Sequence, residues 1–169
     1  MRESRPAPVA RKRAGRAALA RRLTALRRRG LTVVFTNGCF DLLHAGHVRY
    51  LERARRLGDV LVVGVNSDAS VRRLKGSGRP ILPLAERLTV LAGLAAVDYV
   101  VPFAGDTPAG LIRALGPDVL VKGADWPLAR IVGERDVRAH GGVVRRIPLQ
   151  SGCSTSRIIR RILSRHRPR

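Results

Sequence analysis

Short apolar runs alternate with stretches of helical spacing along most of this chain. The runs over residues 32–35, 60–65, 99–103, 119–121 and 143–147 are valine-rich and largely apolar at consecutive positions. That pattern predicts strands buried on both faces rather than strands with one wet side. Between them, apolar positions recur three and four apart over residues 47–57, 67–73, 84–95, 107–115 and 134–139, and again over 155–164. These segments predict helices. An earlier helix is expected over 14–29, with Leu19, Leu23 and Leu26 on one face and Gly30 as its stop. Strand and helix in alternation predict an α/β fold. Its form is a doubly wound, parallel, five-stranded sheet of Rossmann-like type with right-handed crossovers. Ligands of such sheets bind beyond the C-terminal strand ends, where the strand order reverses. The polar segments 36–41, 66–68, 122–125 and 151–155 are predicted to collect there.

The 169 residues fit one domain, expected over 31–163. A basic extension, 1–30, precedes it and a basic tail, 164–169, follows it. Residues 1–13 hold two prolines and five basic residues and are expected to lack structure. The net charge of +21 raises nucleic-acid binding as an alternative function. Its distribution argues against it, since residues 1–30 carry +10, residues 157–169 carry +6, and the rest carries +5. Solvated tails with salt-sensitive, non-specific affinity for polyanions account for that pattern. Cys39 and Cys153 form neither a disulfide framework nor a zinc spacing, which points to a reduced, cytoplasmic protein. No apolar run suits a signal peptide or approaches the roughly 20 residues of a membrane span.

The segment from Thr36 to His47, TNGCFDLLHAGH, carries the most chemistry. It joins a buried strand to a helix, where free backbone N–H groups and the helix dipole attract phosphate. His44 and His47 add donors for charge on phosphate oxygens. Only Asp41 lies close enough in sequence to join them as a metal ligand, so zinc is not expected. Asn37 and Gly38 flank the turn, and Asp41 either caps the helix or orients a histidine. Asn66-Ser67-Asp68 reads first as an N-cap. Arg87 is either half of a surface pair with Glu86 or a cation aimed at the strand ends. The chain has three lysines, and two of them, Lys75 and Lys122, sit beside glycine in loop-like settings that suit an anion. Residues 75–80 read as a mobile, basic lid. Trp126 reads as a packing residue. Ser154 and Thr155 open the last helix with one hydroxyl more than a cap requires.

Gly38-Cys39-Phe40-Asp41 with His44-Ala45-Gly46-His47 resembles the nucleotidyltransferase superfamily marked by an H-x-G-H signature. Ser154-Thr155 resembles its second motif. Within the cytidylyltransferase-like branch, four further runs are similar to the adenylyltransferases of D-glycero-β-D-manno-heptose 1-phosphate: GVNSDAS from Gly64, RLKG from Arg73, LVKG from Leu120 and GCST from Gly152. The resemblance implies AMP transfer from ATP, with Mg2+, to a sugar phosphate, releasing pyrophosphate and giving ADP-heptose for lipopolysaccharide or another glycan. It implies that His44, His47, Lys75 and Lys122 are catalytic. It places Thr36, Asn37, Gly38, Phe40, Asp41, Arg87, Gly123, Asp125, Ser154 and Thr155 at the nucleotide. It also carries a homodimer over as an expectation. A cytidylyltransferase for glycerol 3-phosphate or another small phosphate remains the alternative enzyme. One departure is that Leu149-Gln150-Ser151 lacks the basic residue that related glycerol-phosphate enzymes have before Ser-Thr.

Overall fold

A computed structural model describes residues 8–150 and 152–166. Expectations that fall on residues 1–7, Ser151 and 167–169 lie outside the described residues. Strands β1 (Val33–Gly38), β2 (Val60–Asn66), β3 (Tyr99–Phe103), β4 (Val119–Gly123) and β5 (Val143–Ile147) form one sheet in the order β3-β2-β1-β4-β5. Every pairing is parallel. The chain builds outward from β1 to β3, then crosses to β1's other side to start β4. The site therefore belongs at the C-terminal ends of β1 and β4.

Helices α1 (Val9–Lys12), α2 (Arg16–Arg28), α3 (Ala45–Arg55), α4 (Asp68–Lys75), α5 (Leu84–Gly93), α6 (Ala109–Leu115), α7 (Glu134–Ala139) and α8 (Thr155–Arg165) complete the described structure, with a 3-10 turn at Leu128–Arg130. Alternate strand residues feed two cores. Val34, Leu61, Val63 and Val121 pack with Leu51, Leu88 and Leu91 of α3 and α5. Val33, Phe35, Val62 and Leu120 pack on the other face with Leu19 and Leu23 of α2, Ile112 of α6 and Val137 of α7. Burial of these side chains, each worth about 1.5–3 kcal/mol, fixes which face of each strand points where.

Three expectations change. Residues 8–13 are ordered: Lys12 is buried and donates to the Leu94 carbonyl at 3.1 Å, and Arg13 bridges Val100. Tertiary contacts hold a helix of one turn that propensity alone would not. Strand β1 runs on through Asn37 and Gly38, because these pair in register with Gly64 and Val65 of β2. Trp126, expected as a packing residue, is 49% exposed.

Candidate active site

The turn between β1 and α3 is the centre of the site. Phe40 and Leu42 hold left-handed backbone, at φ 47° and 48°. Such strain costs about 1–3 kcal/mol per residue and persists only where the surroundings impose it. Here three elements do. Arg87 of α5 donates from Nη1 to the Cys39 carbonyl at 2.6 Å. The Asp41 carboxylate, fully buried, accepts from Arg79 Nε at 2.6 Å and from the N–H groups of Ile81 and Leu82 at 2.8 and 3.0 Å. Thr155 of α8 donates from its hydroxyl to the Asp41 carbonyl at 2.6 Å. Burial alone would raise the Asp41 pKa. The Leu82 and Ile81 N–H groups and the Arg79 guanidinium outweigh it, so the carboxyl sits below its ordinary value and stays ionised.

That turn delivers His44 and His47 as a stacked pair, ring centroids 3.8 Å apart and planes 20° from parallel. The Phe40 ring backs His47 at 5.3 Å. Burial pushes both imidazoles below their ordinary pKa, His47 to about 4, with the neighbouring His44 adding to the effect. Both rings are thus neutral at pH 7. Neither buried Nδ1 has a hydrogen-bond partner among the described residues. Gly46 between them is required by close packing: a Cβ there would lie 2.9 Å from Cys153 Cβ and 3.0 Å from His44 Nδ1. The start of α3 therefore presses directly on the segment leading into α8. Ser154 caps α8 by accepting from the Arg157 N–H at 3.2 Å.

Lys122, at the end of β4, donates from Nζ to Asn37 Oδ1 at the end of β1. This bond bridges the two strands at which the order reverses. Burial pushes Lys122 down to about 8, opposed by Asp125. It keeps its proton at neutral pH and loses it in mild alkali. With the nucleotide substrate that the sequence resemblance implies, kcat/KM should therefore fall as pH rises through about 8. The Lys122→Met variant should be slow throughout and lack that alkaline limb, which a pH–rate profile will show. A Cβ on Gly123 would meet the Asp125 carboxylate, the end of an exposed side chain that can swing aside.

Beside the histidines lies a cavity of about 310 Å3 lined by Gly46, Arg49, Tyr50, Arg53, Pro148, Leu149 and Gln150. Gln150 Oε1 is buried without a partner among the described residues. Sequence reading missed this cavity because its lining comes from α3 and from the loop after β5, about 100 residues apart in sequence.

The expected site residues fall into two groups. Asn37, Gly38, His44, His47, Lys122, Gly123, Asp125, Ser154 and Thr155 gather around the strand ends, with Lys75 at the exposed end of α4. Four others act from behind. Thr36 is fully buried and shares a 2.8 Å hydrogen bond with the Tyr50 hydroxyl. Phe40 is buried in the core. Asp41 is consumed by its three donors. Arg87, expected at the phosphates, is 1% exposed. It donates to the carbonyls of Leu82, Cys39 and Asn66 and to the Asp68 carboxylate. These four shape the site without presenting polar atoms to a ligand. Ser67 does cap α4, accepting from the Ser70 N–H at 3.2 Å.

Residues 35–161 match the family described as Cytidylyltransferase-like. The bifunctional protein HldE of Syntrophotalea carbinolica is 59% identical over 140 residues, covering 83% of this chain and 29% of that protein. HldE of Alkalilimnicola ehrlichii is 61% identical over 138 residues, covering 82% of this chain and 29% of that one. The chain thus spans under a third of the length of these relatives. The crystal structure of a lipopolysaccharide core biosynthesis protein from Thermoplasma volcanium superposes with a TM-score of 0.60 at 28% identity, over 72% of this chain and 98% of that one.

Proposed function

This chain belongs to the cytidylyltransferase-like family of nucleotidyltransferases, and from that premise we propose that it transfers AMP from ATP to D-glycero-β-D-manno-heptose 1-phosphate. The observation that carries the reading is the neutral, stacked histidine pair in the turn after β1, with a cationic Lys122 bonded to Asn37 at the end of that strand, where the order reverses. The motifs that resemble heptose 1-phosphate adenylyltransferases support this donor and acceptor, and the identity to bifunctional HldE proteins and the likeness to a lipopolysaccharide core biosynthesis protein are consistent with them.

In this reaction a phosphate oxygen of the sugar phosphate attacks the α-phosphorus of ATP. A new P–O bond forms as the bond to the β-phosphate oxygen breaks, and pyrophosphate leaves with the electron pair. The attacking oxygen is already ionised near neutral pH, so no base is needed. Catalysis reduces to aligning two polyanions and spreading charge. The neutral imidazoles donate to oxygens on the α-phosphate, and Lys122 and the N–H groups at the start of α8 receive the departing pyrophosphate. The cavity against α3 takes the base. Among the described residues, no group of three or more His, Cys, Asp or Glu side chains is placed to hold a metal ion. The fit is therefore to magnesium arriving on the triphosphate, as part of the substrate.

Residues 31–163 form the catalytic domain in this reading, with the basic segments outside the chemistry. No helix among the described residues is long and apolar enough to cross a membrane. The test is pyrophosphate release with ATP and with CTP, each against heptose 1-phosphates of both anomers and glycerol 3-phosphate. Turnover with ATP and the β-heptose phosphate is expected to exceed every other pair by at least about tenfold. Preference for CTP with glycerol 3-phosphate would replace this reading with the cytidylyltransferase one.

A further inference from the structure

We propose that Arg79, oriented by Asp41, forms with Lys75 the binding site for the acceptor's phosphate monoester. The inference rests on the nucleotidyltransferase reading and adds a site to it.

Arg79 is unusual for an arginine in a connecting segment. Its side chain is only 16% exposed, and a single protein contact, from Nε to Asp41, engages it among the described residues. A guanidinium has five N–H donors in one plane, and the four on Nη1 and Nη2 remain unpaired. The Asp41 carboxylate is held in turn by the N–H groups of Ile81 and Leu82. Holding Nε fixes the plane, so the outer edge is pre-set as a fork, the geometry that grips phosphate through two parallel bonds. The neighbouring Arg87 does the opposite: carbonyls and Asp68 occupy its donors. Burial raises the Cys39 thiol pKa, and Lys75, Arg87 and Arg79 oppose it, so all three cations lie near the turn. Asp41 and Asp68 balance the two arginines, and Lys75 has no ion-pair partner among the described residues. The surplus charge there is positive.

Position selects the acceptor over the nucleotide. The cavity for the base lies between α3 and the segment after β5, on the β4–β5 side of β1. Residues 76–82 follow α4, which follows β2, on the opposite side of β1. A nucleotide reaching from that cavity to the histidines, with its pyrophosphate toward Lys122 and α8, leaves the β2 side open. In-line displacement requires the attacking phosphate to come from the side away from the leaving group. Arg79 and Lys75 belong to the chain segment that follows β2, and Asp41 ties Arg79 to the turn that carries the histidines.

The experiment measures KM for acceptor and for ATP separately, in wild type, Arg79→Ala, Arg79→Gln and Arg79→Lys. Arg79→Ala should raise the acceptor KM at least tenfold and move the ATP KM by less than threefold. Arg79→Lys should recover only part of this, since one ammonium cannot serve both Asp41 and a phosphate. If Arg79→Ala does not fold, Arg79→Gln, which can still donate to Asp41, carries the same split. Equal rises in both KM values, or no change in either, overturn the site. Titration calorimetry of heptose 1-phosphate and glycerol 3-phosphate reads binding without turnover. If only glycerol 3-phosphate binds and reacts, the heptose assignment falls and the Arg79 split is read with that acceptor. If neither phosphate binds the wild-type chain, the site falls while ATP binding can still uphold the nucleotide reading.

Discussion

Replacing His47 with alanine should lower kcat by about a hundredfold or more, with little change in the KM for ATP. A preorganised donor aimed at charge that develops in the transition state is worth about 2.7–4 kcal/mol, and its loss appears in kcat rather than in binding. His47 fits that role because burial keeps it neutral, with a pKa of about 4, while its stacked partner and Phe40 fix its plane. The fold should survive the change, since the ring's Nδ1 makes no hydrogen bond among the described residues. Steady-state kinetics on a variant with unaltered circular dichroism checks this, and turnover within threefold of wild type would reject the role. The same ring links stability to pH. The unfolded chain takes up a proton on His47 near pH 6.5, the folded chain only near 4. Stability is therefore lost as pH falls through that window, by about 3 kcal/mol at most. The alanine variant should lose less over the same range in urea unfolding at pH 7 and pH 5.

The largest loss of stability is expected from Arg87→Ala. The guanidinium is buried and ties the end of β2, through the Asn66 carbonyl at 2.8 Å, to Cys39 and Leu82. Its charge is answered by Asp68 at 2.7 Å. Truncation leaves three carbonyls and a carboxylate without this donor, which costs about 3–5 kcal/mol. Each kcal/mol moves the Tm of a domain this size by about 2–4 °C, so a fall on the order of 10 °C is expected. Lysine should not rescue it, because one ammonium cannot span the same acceptors. The exposed pair Arg73–Asp106, at 2.6 Å, supplies the control: Arg73→Ala should cost about 1 kcal/mol or less. Differential scanning calorimetry of the two variants separates a buried brace from a surface pair.

These two residues also mark what could be read from the sequence. The sheet was legible because valine runs need burial on both faces, and β3, β5 and α7 begin and end where the pattern does. The histidine pair was legible because a motif of contiguous residues carries it. Arg87 was not, since its partners Asn66 and Cys39 lie 21 and 48 positions away and no local pattern separates a buried arginine from a surface one. Asp41 posed the same difficulty, its carboxylate being answered by a segment about 40 residues on. Strand β1 ran past its apolar stretch because pairing with β2, not hydrophobicity, extends it through Asn37 and Gly38. Trp126 was misjudged because size suggests packing, whereas it stands exposed 6.0 Å from Lys122 Nζ.

Helix α8 has no buried residue, and the Thr155 hydroxyl ties its first turn to the Asp41 carbonyl. Strand β1, by contrast, is flanked by neighbours on both sides. The two walls of the proposed phosphate cradle thus belong to different cooperative units, one opening only when the whole domain melts and the other able to fray alone. Catalytic competence is then less robust than the fold that carries it. A polyanion bridging both walls would fasten the looser one, so occupancy itself would assemble the working enzyme.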